Sequence, residues 1–308
     1  TTTAYGNASS GGTWMGDNFY RADQVSNGDV SAYTDIDLAG ADVVASATTA
    51  IANVSNSSDE FGQNSAFQTQ ASNGSVYAET DADLCCDGTQ ATFVTTAAGN
   101  TVTSSGSTTT NYNGAVQTTA AGQSIRGLTD VYVGSGSNVT AVTTSAGNSA
   151  LVSNEWGFAT LGRQGSELFQ GNDSKVDAQT YVTLDHWSGS AVSTAYGVGN
   201  SALISNVGSD TGLYAVQNNT AGVSSQASLS GQSYTGGTGL VNATAIGNAA
   251  TATLCNMCGD AVLQGSVTQY NSGDTYAQGS VNTPTAGTII GSASAIGNSA
   301  TYTSGGGD

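Results

Sequence analysis

Small apolar and hydroxylated residues alternate along almost the whole chain. Runs such as Val139-Thr140-Ala141-Val142-Thr143 and Ser149-Ala150-Leu151-Val152 set like residues at every second position. This is the pattern of a pleated strand with one face turned inward. No stretch repeats with the 3.6-residue period of a helix, and the alternating positions are rich in Thr, Val, Tyr and Ser, which favour strand. Pro occurs once in 308 residues. A Pro has no N–H to give to a ladder, so its scarcity fits a chain that is strand throughout.

An internal repeat organises the alternation. A Gly-Asn step recurs at Gly6-Asn7, Gly99-Asn100, Gly147-Asn148, Gly199-Asn200, Gly247-Asn248 and Gly297-Asn298, with Ala52-Asn53 as a variant, and the Asn spacings are 46, 47, 48, 52, 48 and 50. The flanks repeat too: GNSALVSN from Gly147 returns as GNSALISN from Gly199. A Gln lies 16 or 17 residues after each of the first six Asn, at Gln24, Gln70, Gln117, Gln164, Gln217 and Gln264. Each unit therefore reads as two strand-turn-strand halves, one turning at Gly-Asn and one at steps such as Asn27-Gly28 and Asn73-Gly74, residues that tolerate tight corners.

A fixed period of this length marks solenoids, propellers or arrays. Propeller blades need bulky aromatic cores, whereas Ala, Ser, Asn and Gln recur here and suit narrow coils with stacked amides. The expected fold is all-β: a β-solenoid (β-helix) of about six 48-residue repeats, each made of two half-coils, in a single repeat domain over 1–308. Repeats start near Asn7, Asn53, Asn100, Asn148, Asn200 and Asn248, with a partial repeat at Asn298. These seven Asn and the six Gln are expected to form structural amide ladders.

Composition changes the picture in one respect. Charged residues make up only 8% of the chain, and 22 acidic against 4 basic side chains give a formal net charge of −18. Such a surface repels nucleic acid and anionic membranes and helps to keep a β-rich chain soluble. No apolar run approaches the ~20 residues of a membrane helix. The chain opens Thr1-Thr2-Thr3 without Met, which is read as a processed, exported form. Four cysteines occur as Cys85-Cys86 and Cys255-Asn256-Met257-Cys258. With His186 as the only His, disulfides suit them better than zinc: Cys255 with Cys258, and Cys85 with Cys86 either vicinal or free.

Tyr196-Gly197-Val198-Gly199-Asn200-Ser201-Ala202, set among recurring Gln and Asn positions, resembles the curlin repeat of secreted bacterial fibres. The unit here is about twice as long, and Ala195 and Asn206 stand near the places where curlin repeats carry Gln. The wider Ala-x-Gly-Asn and Thr-rich sequence resembles the holdfast anchor proteins of stalked alphaproteobacteria, in particular their larger D member. That resemblance implies a secreted, amyloid-like protein that anchors an adhesive to a cell surface. A weaker likeness, through Ala-Ile-Gly motifs, is to the head repeats of trimeric autotransporter adhesins.

Catalysis needs a positioned base, nucleophile or metal, and one His, one Lys and three Arg give little material for it. Asp35 with Asp37 and Asp81 with Asp83 share strand faces, yet the glycine-rich Ca²⁺ nonapeptide is missing. Thr108-Thr109-Thr110 does not recur as an ice-binding face would require. Sequons such as Asn138 and Asn242 follow from the abundance of Asn, Ser and Thr. The chain is therefore read as a non-enzymatic, cofactor-free, secreted subunit of a cell-surface fibre or anchor. Its partners are further copies of itself, joined head to tail, and surface polysaccharide or other anchor proteins. The alternative is a monomeric solenoid adhesin that binds surface carbohydrate.

Overall fold

The computed structural model describes residues 1–85, 88–231, 237–256, 261–284 and 287–306, and no helix occurs among them. Strands stack in three rows. The first row contains the Gly-Asn steps: β1 (Thr2–Thr13), β4 (Val43–Asp59), β7 (Gly88–Ser107), the later parts of β9 (Ser124–Glu155) and β12 (Lys175–Val207), β15 (Thr238–Asn256) and β18 (Thr288–Gly306). The second contains β3 (Val30–Leu38), β6 (Val76–Leu84), the earlier parts of β9 and β12, β14 (Val223–Gly231) and β17 (Thr275–Asn282). The third contains β2 (Asn18–Ser26), β5 (Gly62–Ser72), β8 (Thr109–Thr119), β10 (Ala159–Leu161) with β11 (Leu168–Asn172), β13 (Thr211–Asn219) and β16 (Leu263–Asn271).

Every pairing between these strands is parallel, and each strand pairs with its counterpart one repeat away, as in Asn53↔Asn100 and Asn148↔Asn200. That is a β-solenoid. Propeller blades and sandwiches pair neighbouring strands antiparallel and are excluded.

The Gly-Asn step bends the long strands by slipping the alternation. In β12 the buried residues before it are Ala191, Ser193 and Ala195, and after it they are Asn200, Ala202, Ile204 and Asn206. Odd positions point inward first, then even ones, so both halves of one strand face the interior. The second row covers the first half: Thr80 in β6 touches Thr48 in β4 and Thr95 in β7. The third row covers the second half, where Asn64 in β5 reaches Ser57 in β4 and Ser104 in β7.

Two cores result. One contains Phe93, Val131, Val139, Val182 and Leu184, and the other Val152, Leu161, Leu168, Ile204 and Leu213. Burial of such side chains stabilises by about 1.5–3 kcal/mol each. Ala and Val make up most of both clusters.

Candidate functional site

Between the two cores runs a double ladder of amides. Asn7, Asn53, Asn100, Asn148, Asn200, Asn248 and Asn298 stack in register. Each Nδ2 donates to the Oδ1 of the next Asn toward the C-terminal side, at 2.7–2.8 Å. The same nitrogen donates its second hydrogen to a carbonyl across the interior, as from Asn100 to Thr118 and from Asn200 to Asn218. From Asn53 to Asn248 these side chains are fully buried.

The facing ladder runs the opposite way. Gln70 donates to Gln24, Gln117 to Gln70, Gln170 to Gln117, Gln217 to Gln170 and Gln269 to Gln217, at 2.8–3.0 Å. Each of these amides also donates across the interior to the carbonyl just after the ladder Asn, such as Ser149 for Gln117 and Ser201 for Gln170. The two ladders therefore staple the layers reciprocally, and from Asn53 to Asn248 and from Gln70 to Gln269 each amide uses both of its hydrogens. Opposed polarity also cancels their summed dipoles.

Gln164 and Gln264 do not join the ladder, which corrects the assignment made from their spacing. Gln164 stands exposed in a loop at 162–167 that interrupts the third row between β10 and β11, while Arg163 and Ser166 bridge its base. Gln264 is exposed in β16, beside Gly212 of β13. Gln170 and Gln269 take the two places. They lie 22 and 21 residues after their Asn, where Gln117 lies 17 after Asn100. The extra residues sit before the ladder position, so a fixed count from Asn falls short.

Further rows carry no Gly-Asn mark. Asn18 donates to Asn64 and Asn64 to Asn111, while Asn172 donates to Asn219 and Asn219 to Asn271. A chain of threonine hydroxyls zigzags between layers through Thr2, Thr34, Thr48, Thr80, Thr95, Thr129, Thr143 and Thr180, with contacts of 2.7–2.8 Å. Their only sequence signal was recurrence near the 46- to 48-residue period, as at Asn18, Asn64 and Asn111.

Cys85 and Cys255 are exposed, and Cys86 and Cys258 lie outside the described residues. His186 is exposed, with Nδ1 3.4 Å from a carboxylate oxygen of Asp185. On the outward side of β3, β6 and β9, Asp35, Asp81 and Asp130 share one register column and Asp37 and Asp83 another. Partial burial, then the neighbouring carboxylates Asp35, Glu79 and Asp83, push the Asp81 carboxyl above its usual range. Asp130 is raised by burial, then by Asp81 and Glu79. Tyr77 donates a hydrogen bond to Glu79, and burial together with that bond pushes its phenol up to about 12.

Fold and rows together define a structural repeat protein, a parallel solenoid stapled internally by hydrogen-bonded amides. The family model described as Holdfast attachment protein D matches residues 1–222, and the chain belongs to that family. It is thus an adhesion-related protein of holdfast attachment, a role exercised at the cell surface. No curated protein and no solved structure matches it.

Proposed function

We propose that the chain is a secreted structural subunit that assembles head to tail into an amyloid-like cell-surface anchor, with no catalytic role. The amide ladders carry this reading. Each coil offers the next the same parallel strand edges and the same amide donors and acceptors, and Asn7 and Asn298 belong to one ladder. The coil rows that carry them are matching surfaces, and a contact between such rows in two copies is heterologous and does not close. Cross-β assemblies gain stability from the same stacked amides. Electron microscopy of the purified chain tests the reading. Unbranched filaments a few nanometres wide are expected, lost on deletion of Thr1–Asn7 with the β-rich fold intact. A strictly monomeric protein at high concentration overturns it.

A further inference from the structure

The outward face of the third row differs from the rest of the surface. Phe19, Phe67, Tyr112 and Phe169 project from four successive coils, 37–73% exposed. Three coil steps span ~14 Å. Between the rings and the 162–167 loop lies an open cleft of about 170 Å³, lined by Ser65, Phe67, Tyr112, Thr160, Arg163 and Ser166. Gly114 keeps it open: a Cβ there would lie 3.0 Å from the Phe67 ring. Phe158 braces Tyr112, with ring centroids 5.4 Å apart.

Charge sets this face apart too. Arg21 lies 3.3 Å from Asp23, and Glu167 accepts the Gly165 N–H within the loop, which lowers its pKa. Arg163 is the one charged residue lining the cleft. The acidic columns stand instead on the second row. The third-row face is therefore near neutral on a chain of net charge −18.

We propose that this cleft binds a neutral polysaccharide. The inference rests on the reading of the chain as a surface anchor and names what it holds. Half-exposed rings offer flat apolar platforms for the C–H faces of sugar rings. The hydroxyls of Ser65 and Ser166 and the Arg163 guanidinium supply donors and acceptors for sugar hydroxyls, the pattern of a few polar groups fixing a ligand among apolar ones; the buried Thr160 hydroxyl is committed to the Gly162 carbonyl. An anionic polymer would meet one guanidinium and the field of the whole acidic chain. A second copy of the chain would need a continuous apolar patch, whereas these rings are separated by Ser65, Gly114 and Thr160.

Native gels cast with hydroxyethylcellulose or glycol chitin, and with carboxymethylcellulose as the anionic control, test this on the full chain. At least one neutral polymer is expected to retard the wild type. Phe67→Ala with Tyr112→Ala should weaken retardation about tenfold or more, the scale of losing a stacking contact. Gly114→Val, which fills the cleft and leaves the rings, should act likewise, and Tyr276→Ala, at an exposed ring on the second row, should have no effect. Circular dichroism verifies folding of each variant. The proposal is overturned by a wild type that neither neutral polymer retards, by retardation in the anionic gel alone, or by cleft variants that bind like wild type. It is overturned equally if the same variants dissolve a dimer seen by sedimentation without polymer. Filaments that persist when binding is absent would leave the anchor reading standing, and binding without filaments would leave this one.

Discussion

Asn200 shows what one residue does in the ladder. Its Nδ2 donates to Asn248 and to the Asn218 carbonyl, and its Oδ1 accepts from Asn148, all at 2.8 Å. Asn200→Asp replaces a double donor by an oxygen that faces two acceptors in a buried site. It should lower stability by about 1–3 kcal/mol, read from urea unfolding; an unchanged midpoint would show that the ladder relaxes around the change. The preceding Gly is set by the opposite corner. A Cβ at Gly199 would lie 2.5 Å from Asn219 Oδ1 and 2.5 Å from the Gly247 carbonyl. Where Ala52 replaces Gly, the corresponding third-row position is Ser72, which aligns with Ser26 and Thr119. Gly199→Ala should therefore destabilise by about 1–3 kcal/mol through crowding of a packed interior, and Asn219→Ser, which on its own loses the row bonds to Asn172 and Asn271, should cost less when added to Gly199→Ala than it costs alone. Strict additivity of the two changes would refute this steric coupling.

At the scale of strands, the Gly-Asn step was legible because the same residue must return wherever the chain bends inward. The Gln strand was legible only in coils without an insertion. Its position is fixed by register with the strand beneath, so the loop at 162–167 shifts the count while Gln170 still stacks on Gln117. Gln170→Ala should accordingly cost about 1 kcal/mol or more, and Gln164→Ala nothing measurable; the reverse order would restore the spacing-based assignment. The threonine chain stayed hidden because Thr is common at inward and outward positions alike.

Register also aligns the acids, whose spacing along one strand was visible but whose stacking was not. Raised carboxyls at Asp81 and Asp130 mean that the folded state holds protons more tightly than the unfolded chain. Their contribution is fully present below the ordinary carboxylate value and is lost as pH rises through the raised values. Acidification from neutrality toward that range should therefore stabilise the fold, and Asp81→Asn should raise the melting temperature at pH 7 and flatten the rise. A melting temperature that falls on mild acidification in the wild type, with Asp81→Asn unchanged, would contradict the assignment.

For the whole molecule the same acids bear on assembly. The acidic columns run through three coils, in β3, β6 and β9, and in the proposed head-to-tail assembly the columns of successive copies stand on one side of the filament. Net charge of this size disfavours compact association by self-repulsion. Screening shortens its reach from ~30 Å at 0.01 M salt to ~8 Å at 0.15 M, a distance under two coil steps. Joining through matching rows depends instead on hydrogen bonds and buried contacts at short range, which salt screens little. Filament growth should therefore be slow at low ionic strength and accelerate several-fold between these concentrations. Asp35→Asn with Asp81→Asn and Asp130→Asn should bring the low-salt rate close to the high-salt one. Light scattering of the purified chain after dilution into the two buffers measures both. Growth that is equal in the two buffers would remove the acidic columns as its brake, and growth that slows with salt would mean that attraction between unlike charges, rather than matched rows, brings the subunits together.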